Sequence, residues 1–309
     1  LSVLAHNFRN PYEVAFDSYG DLFQTDNDDD GNQGCRASWI LEGGNYGYFS
    51  PDGSRTWQTD RQLEQSTWRA HWHADDPGVC PPGTQTGSGG PTGVCTYEGT
   101  LMPGLRAQVF GADAGRSQVF RFTPLNDGAG FDLQLDTPLI RSVPGGRHGD
   151  RPQLFRPSDV CVDVDGSVLV ADWFDPGVGG HGAGDRAAYG RILRIAPEGH
   201  VRRVPPIDVD GIGGAVFALA SPAPSVRALG WQSLRTAGEA ARAPLAMLLA
   251  HRDPVLPARG AWLAARLADG FELLEPLRTT NNPRLRVTRA RALASRWDLA
   301  ELAPADAVV

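Results

Sequence analysis

Residues 23–36 read FQTDNDDDGNQGCR, and Asp26, Asp28, Asp30 and Gly31 make up the D-x-D-x-D-G half of a calcium loop. Clustered carboxylates repel one another unless a cation or solvent neutralises them. An EF-hand ends its loop on a bidentate Glu at position twelve and has a helix in front. Here position twelve is Ala37 and the preceding residues read as a strand, so an EF-hand is excluded. A calcium site of another kind, completed by Glu42 or a residue of a neighbouring unit, and a plain solvated acidic loop both stay open. A second cluster, ADWFDPGVGGHGAGD, carries Asp172, Asp175, His181 and Asp185. A His among carboxylates binds metals or moves protons. The surrounding Gly179, Gly180, Gly182 and Gly184 allow close backbone approach to a ligand. The alternative is a long ordered loop whose His makes structural hydrogen bonds. In HWHADD, His71 and His73 would share one face of a strand beside Asp75 and Asp76, as ligands or as structural residues. His6, next to Asn7 and Arg9, is a further site-facing candidate. The catalytic group itself is unknown, with His181 and His6 as the candidates.

These residues sit in two segments of different composition. The chain has 309 residues and 37 Gly, of which only seven lie after residue 210. Before that point, short apolar runs alternate with Gly, Asp, Pro and Asn turns, which is an all-β signal. RNPYEVAFDSYGDLFQTD (9–26) and FRPSDVCVDVDGSVLVAD (155–172) match at Pro11/Pro157, Val14/Val160, Asp17/Asp163, Gly20/Gly166 and Asp26/Asp172. A looser copy runs from GPTGVCTYEG at 90–99 to GAD at 111–113. Each copy is a strand, a turn, a second strand and an Asp where the chain leaves the sheet, followed by another apolar run. Repetition of such units predicts a β-propeller over residues 1–205, with both acidic loops on one face. Three visible units are fewer than about four to eight blades, so the chain reads as a fragment. Residues 206–222 read as a Pro-bounded linker. Residues 223–309 read as helices beginning near Pro224, Pro254 and Pro283, in the manner of stacked HEAT-like pairs. The fold class is therefore mainly β, followed by an all-α segment.

Composition excludes several functions. Net charge is −7, which gives no reason to expect nucleic acid as a partner. All 29 basic residues are Arg, so Schiff-base chemistry on Lys is excluded. No apolar run is long enough to span a bilayer. There is no C-x-x-C-H for covalent haem, no phosphate-binding P-loop and no G-x-S-x-G. Cys80 and Cys95 flank PPGTQTGSGGPTGV, either as a disulfide closing that loop or as free thiols, and Cys161 reads as core.

RNPYEVAFDSYGDLFQTDNDDDGN with WILEGGNYGY resembles the glucose/sorbosone dehydrogenase propellers. FRPSDVCVDVDGSVLVADWFDPGVGGH with YGRILRIAP resembles the planctomycete-type membrane-bound dehydrogenase branch, which joins a propeller to HEAT-like helices and often a cytochrome c domain. The resemblance implies an extracytoplasmic or periplasmic oxidoreductase acting on a sugar or a related alcohol or aldehyde. It implies calcium and pyrroloquinoline quinone (PQQ) on one propeller face and electron transfer to a haem domain or partner outside this chain. It would place Arg9, Asn10 and Arg156 at the cofactor and Asp26, Asp28, Asp30 and Asp172 at a metal. The chain departs from the pattern at Tyr12-Glu13, where the family carries Gln-Gly, and in having no Lys. The family's catalytic His lies upstream of the R-N-P segment. A non-catalytic propeller and helical scaffold binding carbohydrate or protein is the alternative.

Overall fold

The computed structural model describes residues 2–27, 34–54, 61–143, 154–174 and 190–301, with side chains as far as 295. Three antiparallel sheets follow one another along the chain. The first contains β1 (Pro11–Phe16), β2 (Leu22–Asp26), β3 (Cys35–Ile40) and, after the short helix α1 (Thr67–His71), β4 (Thr84–Gly87). The second contains β5 (Pro91–Tyr97), β6 (Gln108–Asp113), β7 (Gln118–Asp127), β8 (Gly130–Leu135) and β9 (Ile140–Arg141), the last paired to β7. The third contains β10 (Pro157–Val162), β11 (Val168–Asp172) and β12 (Arg191–Ile195).

The internal repeat seen in the sequence is reproduced in register. Pro11 pairs with Asp26, Pro91 with Asp113 and Pro157 with Asp172, and each pairing is followed by a register break. Proline has no N–H for the ladder, so the first residue of a strand beside a bulge is where a sheet tolerates it. The β1–β2 and β10–β11 turns also match. Gly20 and Gly166 lie at φ of +86° and +87°, the left-handed region that favours glycine. The sheets stack face to face. Phe23 and Ala37 pack on Val94, Val109, Phe120, Phe122 and Leu133 between the first two. Cys95, Tyr97 and Phe110 pack on Phe155, Val160, Val162 and Val170 between the second and third.

The helical segment comprises α2 (Ile212–Leu219), α3 (Pro224–Ala237), α4 (Arg242–Leu249), α5 (Val255–Ala264) and α6 (Pro283–Glu301). Pro224 and Pro283 open their helices and Pro254 caps α5, as their spacing predicts. α2 corrects the linker reading of residues 206–222, because its IGGAVFAL sequence is a poor isolated helix. It forms by packing on α3, where Gly230 approaches its backbone closely. The stretch 71–76 is also not a strand, since His71 ends α1. All four cysteines are free thiols. Cys80 lies against Ile40 and Tyr46 on the first sheet whereas Cys95 is inside β5, because PPGTQTGSGGPTGV crosses from one sheet to the next rather than closing on itself. Cys161 corrects another expectation, because it faces solvent on β10.

The helices dock on the sheets at the end opposite Asp26, around the Asp17–Asp21 turn. Glu98 receives Arg259 at 3.1 Å, the Ser18 hydroxyl at 2.5 Å and the Ser18 N–H at 2.8 Å, all of them buried. Burial pushes the Glu98 carboxyl up, but Arg259, Arg227 and Ser18 together hold it below the usual value. Arg284 binds Asp17 and Asp21, Arg291 binds Asp21, and the Trp262 indole N–H donates to Ser18 O at 3.0 Å while its ring covers Gly20. Removing one partner of a buried ion pair leaves an uncompensated charge, at a cost of about 3–5 kcal/mol. Arg259→Met is therefore expected to lower unfolding free energy by roughly that amount, measured by urea denaturation. A loss below about 1 kcal/mol, the scale of an exposed pair, would show that the contact does not hold the two segments together.

Candidate functional site

One end of the stacked sheets is organised by the carboxylate that closes each second strand. Asp26 accepts the N–H of Asn10 at 2.8 Å and that of Arg9 at 3.3 Å. Asp113 accepts the N–H of Gly90 at 2.8 Å and that of Arg116 at 2.9 Å. Asp172 accepts the N–H of Arg156 at 2.7 Å and that of Phe174 at 2.9 Å. In every case the residue held is the one before the strand-opening Pro. Its N–H has no ladder partner, so a side chain satisfies it.

The residue facing each Asp in the register differs. Asp26 faces Arg36 and Asp172 faces Arg191, whereas Asp113 faces Gln118. Arg36 is fully buried, donates to Asp26 from Nε at 3.2 Å and Nη2 at 2.9 Å, and lies 3.5 Å over the Trp72 ring, with Tyr46 and Phe8 around it. Arg191 donates to Asp172 at 2.8 Å and lies over Phe174. Asp113 has no cation across the ladder. Burial pushes its carboxyl up against the pull of the Gly90 and Arg116 N–H groups.

These contacts set the rim of a concavity of about 400 Å³ lined by Asn10, Pro11 and Tyr12 ahead of and within β1, Asn27 after β2, Gly90, Pro91 and Thr92 at β5, Ala114 after β6 and Trp173 after β11. Among the described residues, the lining contains no charged side chain. It offers two amides, two hydroxyls, backbone groups and two aromatic faces, a set that suits a neutral ligand carrying several hydroxyl groups.

The structure separates the residues singled out in the sequence. Asn10 lines the concavity and Arg9 lies beside it, donating from Nη1 to Asn27 O at 3.1 Å and to Asn27 Oδ1 at 2.9 Å. Arg156 reaches into the second sheet, donating to Ala114 O at 3.0 Å and Ser117 Oγ at 2.9 Å. Asp26 and Asp172 are buried and engaged with backbone N–H groups and Arg, rather than open to a cation. Asp28, Asp30, Asp175, His181 and Asp185 lie outside the described residues. Among the described residues, no three His, Cys, Asp or Glu side chains come together to hold a metal. His6 is exposed, its backbone paired to Asn45. His71 and His73 are buried, His71 edge-on to Tyr48 and Trp72 and His73 with Nδ1 2.6 Å from Gly47 O. Glu42 is exposed on a turn. Sequence reasoning missed Tyr12, Asn27, Thr92 and Trp173. Each lies one position beyond the repeated Pro or Asp, which is the signal that would have found them.

No family model matches the chain, and no curated protein matches it. Solved structures do. An oxidoreductase described as a glucose dehydrogenase from Thermus thermophilus is 19% identical over 62% of this chain and 46% of its own, with a TM-score of 0.42. The apo-form soluble aldose sugar dehydrogenase of Escherichia coli is 15% identical over 55% of this chain and 43% of its own, with a TM-score of 0.39. The PQQ-bound aldose sugar dehydrogenase of Streptomyces coelicolor is 19% identical over 62% of this chain and 44% of its own, with a TM-score of 0.37. The chain thus spans less than half the length of these proteins. At this level the likeness carries no functional conclusion.

The unequal pairing of the three aspartates gives a test. Asp26→Asn leaves Arg36 buried without its counter-charge and is expected to cost about 3–5 kcal/mol. Asp113→Asn removes no cation paired across the ladder, only the weaker pull of the Arg116 charge, and is expected to cost about 1 kcal/mol or less. The sign with pH follows from the raised Asp113 carboxyl. The unfolded chain ionises first, so the wild type loses stability relative to Asp113→Asn as pH rises from the ordinary value of 3.8 through the higher folded value. Parallel stability–pH curves for wild type and Asp113→Asn would contradict this.

Proposed function

We propose that this chain forms the sugar-recognising face of a β-propeller oxidoreductase, a dehydrogenase acting on a sugar or a related alcohol or aldehyde. The observation that carries the reading is the neutral lining of the concavity, with Tyr12 and Trp173 presenting rings and Asn10 and Asn27 presenting amides. Sugar rings stack their apolar C–H faces on aromatic rings and hydrogen-bond through hydroxyl groups. The R-N-P and G-G-N-Y-G segments agree with this reading. In its full form the reading places the protein outside the cytoplasm, treats α2–α6 as a HEAT-like support and passes electrons to a haem domain or partner.

The described lining does not fit PQQ. That quinone carries carboxylates that call for planar cationic forks. Among the described residues no cation lines the concavity, Arg9 is bound to Asn27 and Arg156 turns inward, and the chain has no Lys. Substrate recognition is therefore the role given to these residues, and no step is assigned to the quinone. Calcium enters the reading through Asp28 and Asp30, since Asp26 and Asp172 are engaged in holding the strand starts. Among the described residues, no helix is long and apolar enough to cross a membrane.

A non-catalytic carbohydrate-binding scaffold is the second reading, favoured by the lack of a carboxyl or imidazole side chain in the described lining. Isothermal titration with a panel of aldoses tests the shared claim. Trp173→Ala is expected to raise the dissociation constant about tenfold, the equivalent of about 1.4 kcal/mol, and an absence of aldose binding by the wild type would sink both readings. Dye reduction with aldose, PQQ and calcium then separates them, because binding without reduction selects the scaffold.

A further inference from the structure

Asn10 and Asn27 form the pair one position beyond Pro11 and Asp26 in the first sheet, and the Asn27 N–H donates to Asn10 O at 3.4 Å. The equivalent pairs are Gly90 with Ala114 and Arg156 with Trp173, each joined by the same backbone bond at 3.0 Å. Gly90, Ala114 and Trp173 line the concavity too, so the first sheet's pair is where side-chain amides enter the wall. An amide presents either a C=O acceptor or an NH2 with two donors, and its neighbours decide which. Asn10 and Asn27 share one such neighbour. Arg9 Nη1 donates to Asn27 Oδ1 at 2.9 Å and to Asn27 O at 3.1 Å. The Asn10 amide is satisfied when its oxygen accepts from the same Nη1 at 2.9 Å and its nitrogen donates to Arg9 O at 3.0 Å. The reverse orientation would set oxygen against oxygen and N–H against N–H. Nη1 carries two hydrogens, enough for one amide each. We infer that Arg9 sets the hydrogen-bonding polarity of the concavity: it holds both amide oxygens, so Asn10 and Asn27 meet a ligand as donors, and the site takes the carbonyl oxygen of an oxidised sugar, a lactone, in preference to a hydroxyl.

The two donors lie close together. Both amide oxygens sit on one nitrogen, so the amides are within two hydrogen-bond lengths of each other. Each NH2 group spends one hydrogen on the backbone, Asn10 on Arg9 O and Asn27 on Gly89 O at 3.4 Å. Among the described residues, no protein acceptor takes the second hydrogen of either. A carbonyl oxygen has two lone pairs and no hydrogen, so it accepts from both amides and leaves nothing unpaired. A hydroxyl in the same place brings a hydrogen that neither amide can accept. The guanidinium behind the amides sharpens the preference, because hydrogen bonds in series polarise one another and a charged donor polarises strongly. Asp26 fixes the arrangement from the backbone, accepting the N–H groups of both Asn10 and Arg9. Arg9 is thus a positioning residue, acting through the two amides rather than on the ligand. The identity of the ligand rests on the sugar reading, whereas the orientation of the amides does not.

Side-chain amide NMR on the labelled chain tests the positioning without any ligand. Arg9→Met is expected to shift the NH2 resonances of both Asn10 and Asn27, and a shift of one alone or of neither would overturn the shared hold. Isothermal titration with glucose and with gluconolactam, a carbonyl analogue that does not hydrolyse as the lactone does, tests the preference. The wild type is expected to bind the lactam about tenfold more tightly than glucose, the scale of one hydrogen bond. Arg9→Met should bring the two affinities together, changing glucose binding less than lactam binding. Asn27→Asp keeps the shape and an acceptor for Arg9 but has no side-chain N–H, so it should lose the same preference and decides the matter if Arg9→Met fails to fold. Glucose binding with no lactam preference in the wild type, or a preference kept in a folded variant, overturns the inference and leaves the sugar reading standing. Binding of neither compound removes both.

Discussion

The hydrogen bond from the N–H ahead of a strand-opening proline to an Asp carboxylate is the contact on which this structure depends. Proline removes one ladder donor, and the register breaks just after it. The preceding N–H would be stranded at the sheet margin without the side chain of Asp26, Asp113 or Asp172. Each bond fixes how its first strand enters the sheet. Because three sheets use the same device, their starts converge and Asn10, Gly90 and Trp173 come to line one concavity. The facing residue then sets the electrostatics. Arg36 and Arg191 neutralise two of the carboxylates, and Gln118 leaves the third in a low-dielectric surrounding.

The opposite end is governed by charge as well, to a different purpose. Glu98, Asp17 and Asp21 receive Arg259, Arg284 and Arg291 from α5 and α6. Ion pairs of this kind add little net stability over apolar contacts, but a missing partner is costly, so they make docking selective. Trp262 over Gly20 adds shape to charge. The helices therefore brace the hairpin turns, at the end away from Asp26.

Some of the candidate site was legible and some was not, for reasons that individual residues show. Asp26 and Asp172 were recognised as equivalent and placed on one face, and the register agrees. What their carboxylates hold in the structure, backbone N–H groups and an Arg, was not legible, because a carboxylate after a strand looks the same in sequence whether it faces a cation or a backbone N–H. The difference lies in Arg36, ten residues on and directly across the ladder. Cys80 and Cys95 flank a loop-like stretch, yet the stretch changes sheets. His71 and His73 sit at strand spacing, yet a Ser66 cap starts a helix through the first of them.

Sequence alone determined what is local and periodic: the three strand–turn–strand–Asp units, the glycine turns at Gly20 and Gly166, the proline-opened helices and the absence of Lys chemistry. These follow from backbone sterics and side-chain spacing, which a linear string records. Only the tertiary structure decided which carboxylates are neutralised and by what. It paired Asp26 with Arg36 and set Gln118 across from Asp113. Charge neutralisation depends on distance and burial between residues far apart in the chain, and the fold sets both.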